Sequence, residues 1–282
     1  MKRVRASAPC AVSLIALVVP GLLATCSRAP DSLDVATTTS VQNSGLLEVL
    51  LPHFREATVR VHAAGSGRAL AMLSDGIVDL AISHAPETEA RFLADHPTWR
   101  YRKIAFNRFV VVGPPGDPAR VRDASDVADA FRRIAAARAV FVSRGDESGT
   151  HERERSLWQA AGVQPGQTPL RVSGQGMAIT LRQTDEQQGY TLSDEATFWQ
   201  LEDRIGLVPV FREDPRLLNT YAVVYPPGND TAQRFATWLA EGEGRQRIAD
   251  FRIKGRMAFT VWPSGCRADV ASELPCHAPA VP

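Results

Sequence analysis

Ala36-Thr37-Thr38-Thr39-Ser40-Val41-Gln42-Asn43-Ser44-Gly45-Leu46-Leu47-Glu48-Val49-Leu50-Leu51-Pro52 is the stretch on which the fold turns. It continues Leu33–Thr37, a short β-rich run, so a strand is expected to end in a cluster of hydroxyls. Ser44 is an N-cap residue type, and Leu46, Leu47, Val49, Leu50 and Phe54 then recur at helical spacing. Strand, polar turn and amphipathic helix in that order open an α/β sheet.

The same unit recurs downstream. Strands are expected at Thr58–His62, Val78–Ser83, Ile104–Val112, Ala139–Ser143, Leu170–Ser173, Tyr190–Leu192, Leu207–Phe211 and Tyr221–Tyr225. Helices are expected at Arg68–Ser74, Glu87–Ala94, Ser125–Ala137, Gly149–Ala161, Gly176–Gln187, Asp194–Gln200 and across most of Thr231–Phe251. Pro114-Pro115-Gly116 and Pro118 break the chain and mark a domain boundary. The alternation predicts parallel sheets with helices on both faces, in two lobes of roughly 100 residues each.

Composition sets limits on function. The chain has 282 residues, 44% hydrophobic and 22% charged, an ordinary globular profile. Its 32 basic and 31 acidic residues nearly cancel, so no global field steers it to nucleic acid or an anionic membrane. Lys2, Arg3 and Arg5 precede the uncharged apolar stretch Ala11 to Ala24, which is too short for a bilayer span and has the form of a signal peptide. Residues 1–26 are therefore read as a signal peptide, and Leu23-Ala24-Thr25-Cys26 resembles a lipoprotein cleavage box with Cys26 as the lipidated residue. Thr25 stands where that box usually carries a smaller residue, so a lipid anchor and simple export both stay open. Cleavage before Cys26 removes three basic residues and no acid, leaving 29 against 31. A chain with that balance binds an anion only by local design.

Cys266 and Cys276 bracket a short C-terminal loop and suit a disulfide in an oxidising compartment. Zinc is the alternative, but Cys266, Cys276 and His277 lack a CxxC pair and a fourth ligand.

Three strand-to-helix turns carry the candidate chemistry: Thr37-Thr38-Thr39-Ser40, Gly65-Ser66-Gly67, and Ser143-Arg144-Gly145-Asp146-Glu147-Ser148-Gly149-Thr150. Ser173-Gly174-Gln175-Gly176 is a weaker fourth. Ser, Thr and Gly are common caps, so any one cluster has a purely structural reading. Their repetition at strand ends, where helix N-termini present free N–H groups, points to an anion. Gly65-Ser66-Gly67 is no P-loop, and the chain lacks the G-x-S-x-G elbow of a serine hydrolase. His151-Glu152 lacks the second histidine of a zinc-protease helix, and Glu152 reads as a solvated first-turn acid.

The opening segment resembles the first motif of the tungstate-binding proteins of bacterial ABC transporters. Gly65-Ser66-Gly67, Val78–Pro86, Ser143–His151 and Gly174–Met177 resemble that family's later motifs in the same order, over about Leu33 to Ala258. The Arg-x-Asp-x-Ser-Gly-Thr spacing is also similar to that of periplasmic phosphate-binding proteins. The resemblance implies a two-lobed, type II periplasmic binding fold with a hinge. Lobe 1 would take 33–113 and 220–259 and lobe 2 would take 114–219, with crossings at Val112–Pro118 and Asn219–Tyr221. A tail, 260–282, follows. It implies no cofactor and no catalysis, a monomer, a periplasmic or membrane-anchored location, and ABC permease and ATPase subunits as partners.

Arg144 is the natural cation for a tetrahedral dianion, with a planar fork for two oxygens. Asp146 would orient it. Ser148, Gly149 and Thr150 would donate from the helix start, Thr38, Thr39 and Ser66 from the opposite lobe, and Gly174 and Gln175 as further donors. Fully ionised oxyanions need no carboxylate acceptor, whereas hydrogen phosphate does. The Thr38, Thr39 and Ser66 turns bring none, although Asp75 and Asp79 lie within sequence reach of the cleft. His84, at a strand end and within the Val78–Pro86 motif, is a candidate to line the cleft, but a histidine there is more often a cap or packing residue, so it is left out of the grip. Molybdate, sulfate or phosphate on the same fold, a secreted hydrolase and a ligand-sensing module are the rival readings.

Overall fold

The computed structural model describes residues 31–276 apart from 165 and 273, so the signal peptide and Cys26 lie outside the described residues. Lobe 1 begins with β1 (Asp31–Thr38), α1 (Thr39–Ser44), α2 (Leu46–Leu50), β2 (Ala57–Ala64), α3 (Ser66–Ser74), β3 (Leu80–Ser83), α4 (Pro86–Asp95) and the long β4 (Arg100–Gly113). Lobe 2 adds α5 (Val127–Ala136), β5 (Phe141–Ser143), α6 (Gly149–Ala161), β6 (Leu170–Val172), α7 (Met177–Glu186), β7 (Thr191–Asp194), α8 (Glu195–Leu201) and β8 (Val208–Phe211). The chain returns through β9 (Leu218–Tyr225), α9 (Asp230–Ala240), α10 (Glu243–Asp250), β10 (Arg252–Ile253), β11 (Arg256–Met257) and β12 (Thr260–Val261).

Alternation of side chains along each strand builds two cores per lobe. Leu33 and Val35 of β1, Leu80 and Ile82 of β3 and Val223 of β9 face Leu47, Leu50, Phe235 and Leu239. Their neighbours Ala36, Ala81, Ala222 and Val224 face Leu70 and Leu73 of α3 on the other side. In lobe 2, Phe109 and Val111 of β4 join Phe131, Phe141 and Leu192, while Val110 and Val112 join Met177, Leu181 and Phe198. The period of two thus serves two buried faces at once.

The sheets are mixed. β1 pairs in parallel with β2 and β3, and β5 with β6, but β9 runs antiparallel to both β3 and β4. The reason lies in β4. Arg100–Arg108 pair with β9, whereas Phe109–Gly113 pair with β7 and β8. The strand therefore crosses from one lobe to the other between Arg108 and Phe109, inside the run and before the Pro114-Pro115 break. The return crossing falls at Leu218, where β9 begins. Both crossings are strands of one ladder, a compact hinge.

Two further details differ from the sequence expectations. Thr231–Phe251 divides into α9 and α10 at Glu241-Gly242, where Gly242 packs against the Trp238 backbone. The described residues beyond Phe259 are also part of lobe 1. β12 pairs with Ala105 and Phe106 of β4 and Trp262 is buried beneath Lys103, while Cys266 and Cys276 form the disulfide that the sequence suggests. Among the described residues no helix is long and apolar enough to cross a membrane.

Candidate oxyanion site

Six strand-to-helix turns meet between the lobes, three from each side: those after β1, β2 and β3, and those after β5, β6 and β7. Glycines show how closely they meet. A Cβ built on Gly65 would lie 3.2 Å from the Asp146 carbonyl oxygen and 3.4 Å from the Ser148 Cα. One on Gly176 would lie 3.5 Å from Thr39 Oγ1, and one on Gly149 would overlap His84. Gln200 of α8 also reaches across, donating from Nε2 to the Ser44 carbonyl at 2.7 Å. The lobes are closed on each other.

Within this junction Arg144 is 1% exposed. Its backbone is fixed on both sides: its N–H donates to Glu154 Oε2 at 3.1 Å, and its carbonyl accepts from Gly174 N at 2.9 Å. Nη2 bonds to Asp146, the orienting role expected from the sequence. Nε and Nη1 are buried and have no partner among the described residues. A guanidinium is always charged, and three of its five N–H groups sit on these two nitrogens. Buried donors of this kind are costly unless something accepts from them. Thr150 Oγ1 is likewise buried and unpartnered.

The hydroxyls are poised in a consistent way. Thr38 Oγ1 accepts from Val41 N, Ser66 Oγ from His84 N, and Ser148 Oγ from His151 N, each at 3.3 Å. An oxygen that spends a lone pair on a helix or loop N–H keeps its own proton to donate. Thr39, Gly149 and Thr150 join the same junction.

The structure corrects the sequence reading at several positions. Gly174 offers no free N–H, because it closes the β5–β6 turn on the Arg144 carbonyl, with φ of +64°. Gln175 is exposed, and its carbonyl accepts from Thr180 Oγ1. The Ser148 N–H donates to Asp146 Oδ1 at 3.2 Å, so only the hydroxyl remains. Asp79 is spent on the Asp34 N–H and on Asn229, and Asp75 caps the far end of α3. Glu152 is buried and bonds to α4 of the opposite lobe.

Two residues outside the expected grip stand here, His84, weighed and left out, and Asp194, not singled out. His84 is 2% exposed and stacks on Tyr221 at 5.2 Å. Its Nδ1 meets Asn219 Oδ1 at 2.9 Å, while Asn219 Nδ2 donates to Asn107 Oδ1 and Tyr221 Oη. That network assigns the proton to Nδ1 and leaves Nε2 a lone pair. Burial holds the imidazole below its ordinary pKa, so it is neutral near pH 7. Asp194, at the end of β7, caps α8 by accepting from Thr197 N at 2.8 Å, and its Oδ2 is buried without a partner. The position of each at the end of a strand was the available signal.

Glu154 connects the site to pH. Burial is the main cause that pushes its carboxyl up to about 7, with Arg144 pulling down and Asp146 pushing up. It borders a separate cavity of about 420 Å³ walled by Trp158, Val163 and Leu170 together with His151, Arg155 and Gln159. The folded pKa exceeds the unfolded one, so the folded state holds the extra proton between pH 4.5 and about 7. Stability is therefore expected to fall as pH rises through that window and to level off above it. The slope from this group is at most about 1.4 kcal/mol per pH unit. Glu195, pushed up to about 7 chiefly by burial, contributes the same sign. Urea titrations from pH 4.5 to 8 check this: Glu154→Gln should flatten the slope, and an unchanged slope would remove Glu154 as its source.

Comparisons with known proteins agree with this architecture. A family model for the PBP superfamily domain matches residues 27–243. A relative described as the tungstate-binding protein TupA of Peptoclostridium acidaminophilum is 33% identical over 261 residues, 86% of this chain and 91% of that one. The solved structure described as the tungstate ABC transporter from Geobacter sulfurreducens is 36% identical with a TM-score of 0.72, over 79% of this chain and 100% of that one. That of the tungstate-binding protein TupA from Desulfovibrio alaskensis G20 is 35% identical with a TM-score of 0.70, over 82% and 98%. Two lobes joined by a strand hinge and closed on a polar junction have the type II periplasmic binding fold, and the chain belongs to the PBP superfamily.

Proposed function

We propose that this protein is the extracytoplasmic tungstate-binding component of an ABC importer, gripping the dianion between its lobes and handing it to a membrane permease driven by an ATPase subunit. The observation that carries the reading is the Arg144 guanidinium, buried at the junction with Nε and Nη1 unpartnered. The grip is assigned to Arg144, Thr38, Thr39, Ser66, Ser148, Gly149 and Thr150, with Asp146 orienting the cation. The tungstate-binding relatives support the choice of ion. The signal-like N-terminus and the Cys26 box support export, with a lipid anchor at Cys26 as part of the same proposal.

The energetics are sufficient. Charge-assisted hydrogen bonds contribute about 1.5–3 kcal/mol each, so roughly six reach the roughly 12 kcal/mol of nanomolar binding. Desolvation and ordering take back part of that sum. No bond is made or broken in this scheme. Ser148, the nucleophile a hydrolase would use, spends its oxygen on the His151 N–H, and Asp146 holds Arg144 instead of a histidine.

One observation favours a second reading. Asp194 Oδ2 is a buried, unpartnered acceptor, which is what the proton of hydrogen phosphate needs. Isothermal titration of the ligand-free protein with tungstate, molybdate, sulfate and phosphate separates the readings. Tungstate is expected to bind tightly and phosphate weakly. Absent tungstate heat alongside tight phosphate binding would transfer the assignment to phosphate.

A further inference from the structure

We infer that Glu152 is an interlobe latch: a carboxylate on lobe 2 that caps a helix of lobe 1 only when the cleft is shut, and so sets how long the ion stays bound. The inference rests on the reading of the protein as a closing binding protein, and it concerns a residue outside the proposed grip.

The geometry begins with an incomplete helix. α4 starts at Ala85-Pro86, and Ala85 has no side chain able to cap. Pro86 has no N–H, and Glu89 N is satisfied by the Ala85 carbonyl at 2.8 Å. The N–H groups of Glu87 and Thr88 are left without a partner in their own lobe, as first-turn donors are. Glu152 supplies it from α6, more than sixty residues away. Oε1 accepts from Glu87 N at 3.0 Å, and Oε2 accepts from Thr88 N at 2.9 Å and from Thr88 Oγ1 at 2.6 Å.

Helix polarity reinforces the arrangement. Glu152 lies in the first turn of α6 and against the first turn of α4, so one carboxylate faces two positive helix ends. Both Glu152 and Thr88 are 7% exposed, so the bonds are shielded from solvent and salt. Opening the cleft separates α4 from α6 and returns all three bonds to water. The latch is thus a property of the closed state alone. A residue that merely stabilised a lobe would bond within it.

Glu152→Gln keeps the shape but replaces one acceptor oxygen by an NH2 group, which opposes an N–H of α4. Glu152→Ala removes the side chain. With sodium tungstate as the probe, both variants are expected to bind at least tenfold more weakly than the parent, chiefly through faster release in stopped-flow measurements. The melting temperature of the ligand-free protein should stay within a degree or two, while the increment added by tungstate shrinks. Amide exchange at Glu87 and Thr88 should be slowed by tungstate in the parent and not in the variants. Affinity within twofold of the parent, with the same protection at those amides, overturns the latch and leaves the tungstate assignment standing. A fall in the ligand-free melting temperature equal to that of the complex also overturns it, by showing a structural role. If the parent gives no tungstate heat, the assignment fails separately. The latch is then read from the same amides with whichever of molybdate, sulfate and phosphate gives binding heat: protection gained in the parent and not in Glu152→Gln upholds it, and equal protection in both overturns it.

Discussion

Arg144→Ala is expected to weaken tungstate binding by roughly two to four orders of magnitude, the equivalent of about 3–6 kcal/mol from two lost charge-assisted contacts. Two effects add in the same direction. The dianion loses the guanidinium whose Nε and Nη1 are free of protein partners. Asp146, released from Nη2, becomes a bare carboxylate beside the ligand, held only by the Ser148 N–H. Like charges at close range in a shielded site repel more strongly than on the surface. The double variant Arg144→Ala/Asp146→Asn separates the two contributions. It removes the repulsion but not the missing donors, so it should recover part of the affinity and no more. Circular dichroism controls for folding, since the buried Arg144 side chain also ties down Asp146 within its turn. Titration showing Arg144→Ala within threefold of the parent would remove the guanidinium from the grip.

How far the site was legible depended on whether a residue's role was local. Ser148 and Thr38 were readable because a cap is recognised from the residues just after it, and both do cap their helices. Asp146 was readable from its spacing to Arg144. The α/β alternation came through because apolar periodicity is a local pattern, and most strands and helices fall within a few residues of their expected places. But Thr39–Ser44, expected as a polar turn ending in the N-cap Ser44, is the helix α1, and Gly45 is the N-cap of α2. What escaped was long-range. Ile104–Val112 reads as one β-rich run, and although the polar pair Asn107-Arg108 stands where the partners change, local pattern does not say that the run serves two sheets. Glu152 looks like any first-turn acid until α4, sixty-odd residues away, arrives without a cap of its own. Gly174 and Gln175 sit in a plausible glycine turn, but the turn spends its N–H on Arg144 to join β5 to β6. Asp194 has the ordinary sequence of a helix cap, and only the tertiary fold shows its second oxygen buried and idle.

Gly149→Ala is expected to separate closure from folding. Gly149 is the first residue of α6, and its φ is not positive, so alanine fits the backbone locally. Alanine in place of glycine favours a helix by about 0.5–1 kcal/mol. The ligand-free protein should therefore be as stable as the parent or slightly more so. Closure is another matter. The added Cβ would lie 2.2 Å from the His84 carbonyl oxygen and 2.7 Å from its Nδ1, well inside contact distance. His84 has nowhere to go: its N–H is held by Ser66 Oγ, its Nδ1 by Asn219, and its ring lies between Tyr221 and Phe109. The lobes must then halt about an ångström apart, beyond good hydrogen-bond reach for donors on one side. Losing two or more of those bonds costs roughly 3 kcal/mol or more, a fall in affinity of about a hundredfold or greater. Small-angle scattering should show the parent contracting on tungstate addition and the variant staying extended, while its melting temperature does not drop. Opposite signs for stability and affinity are what a misfolded variant cannot produce. A variant that still contracts and binds with parental affinity would mean that the Gly149–His84 contact does not limit closure, and the cleft would have to be drawn elsewhere.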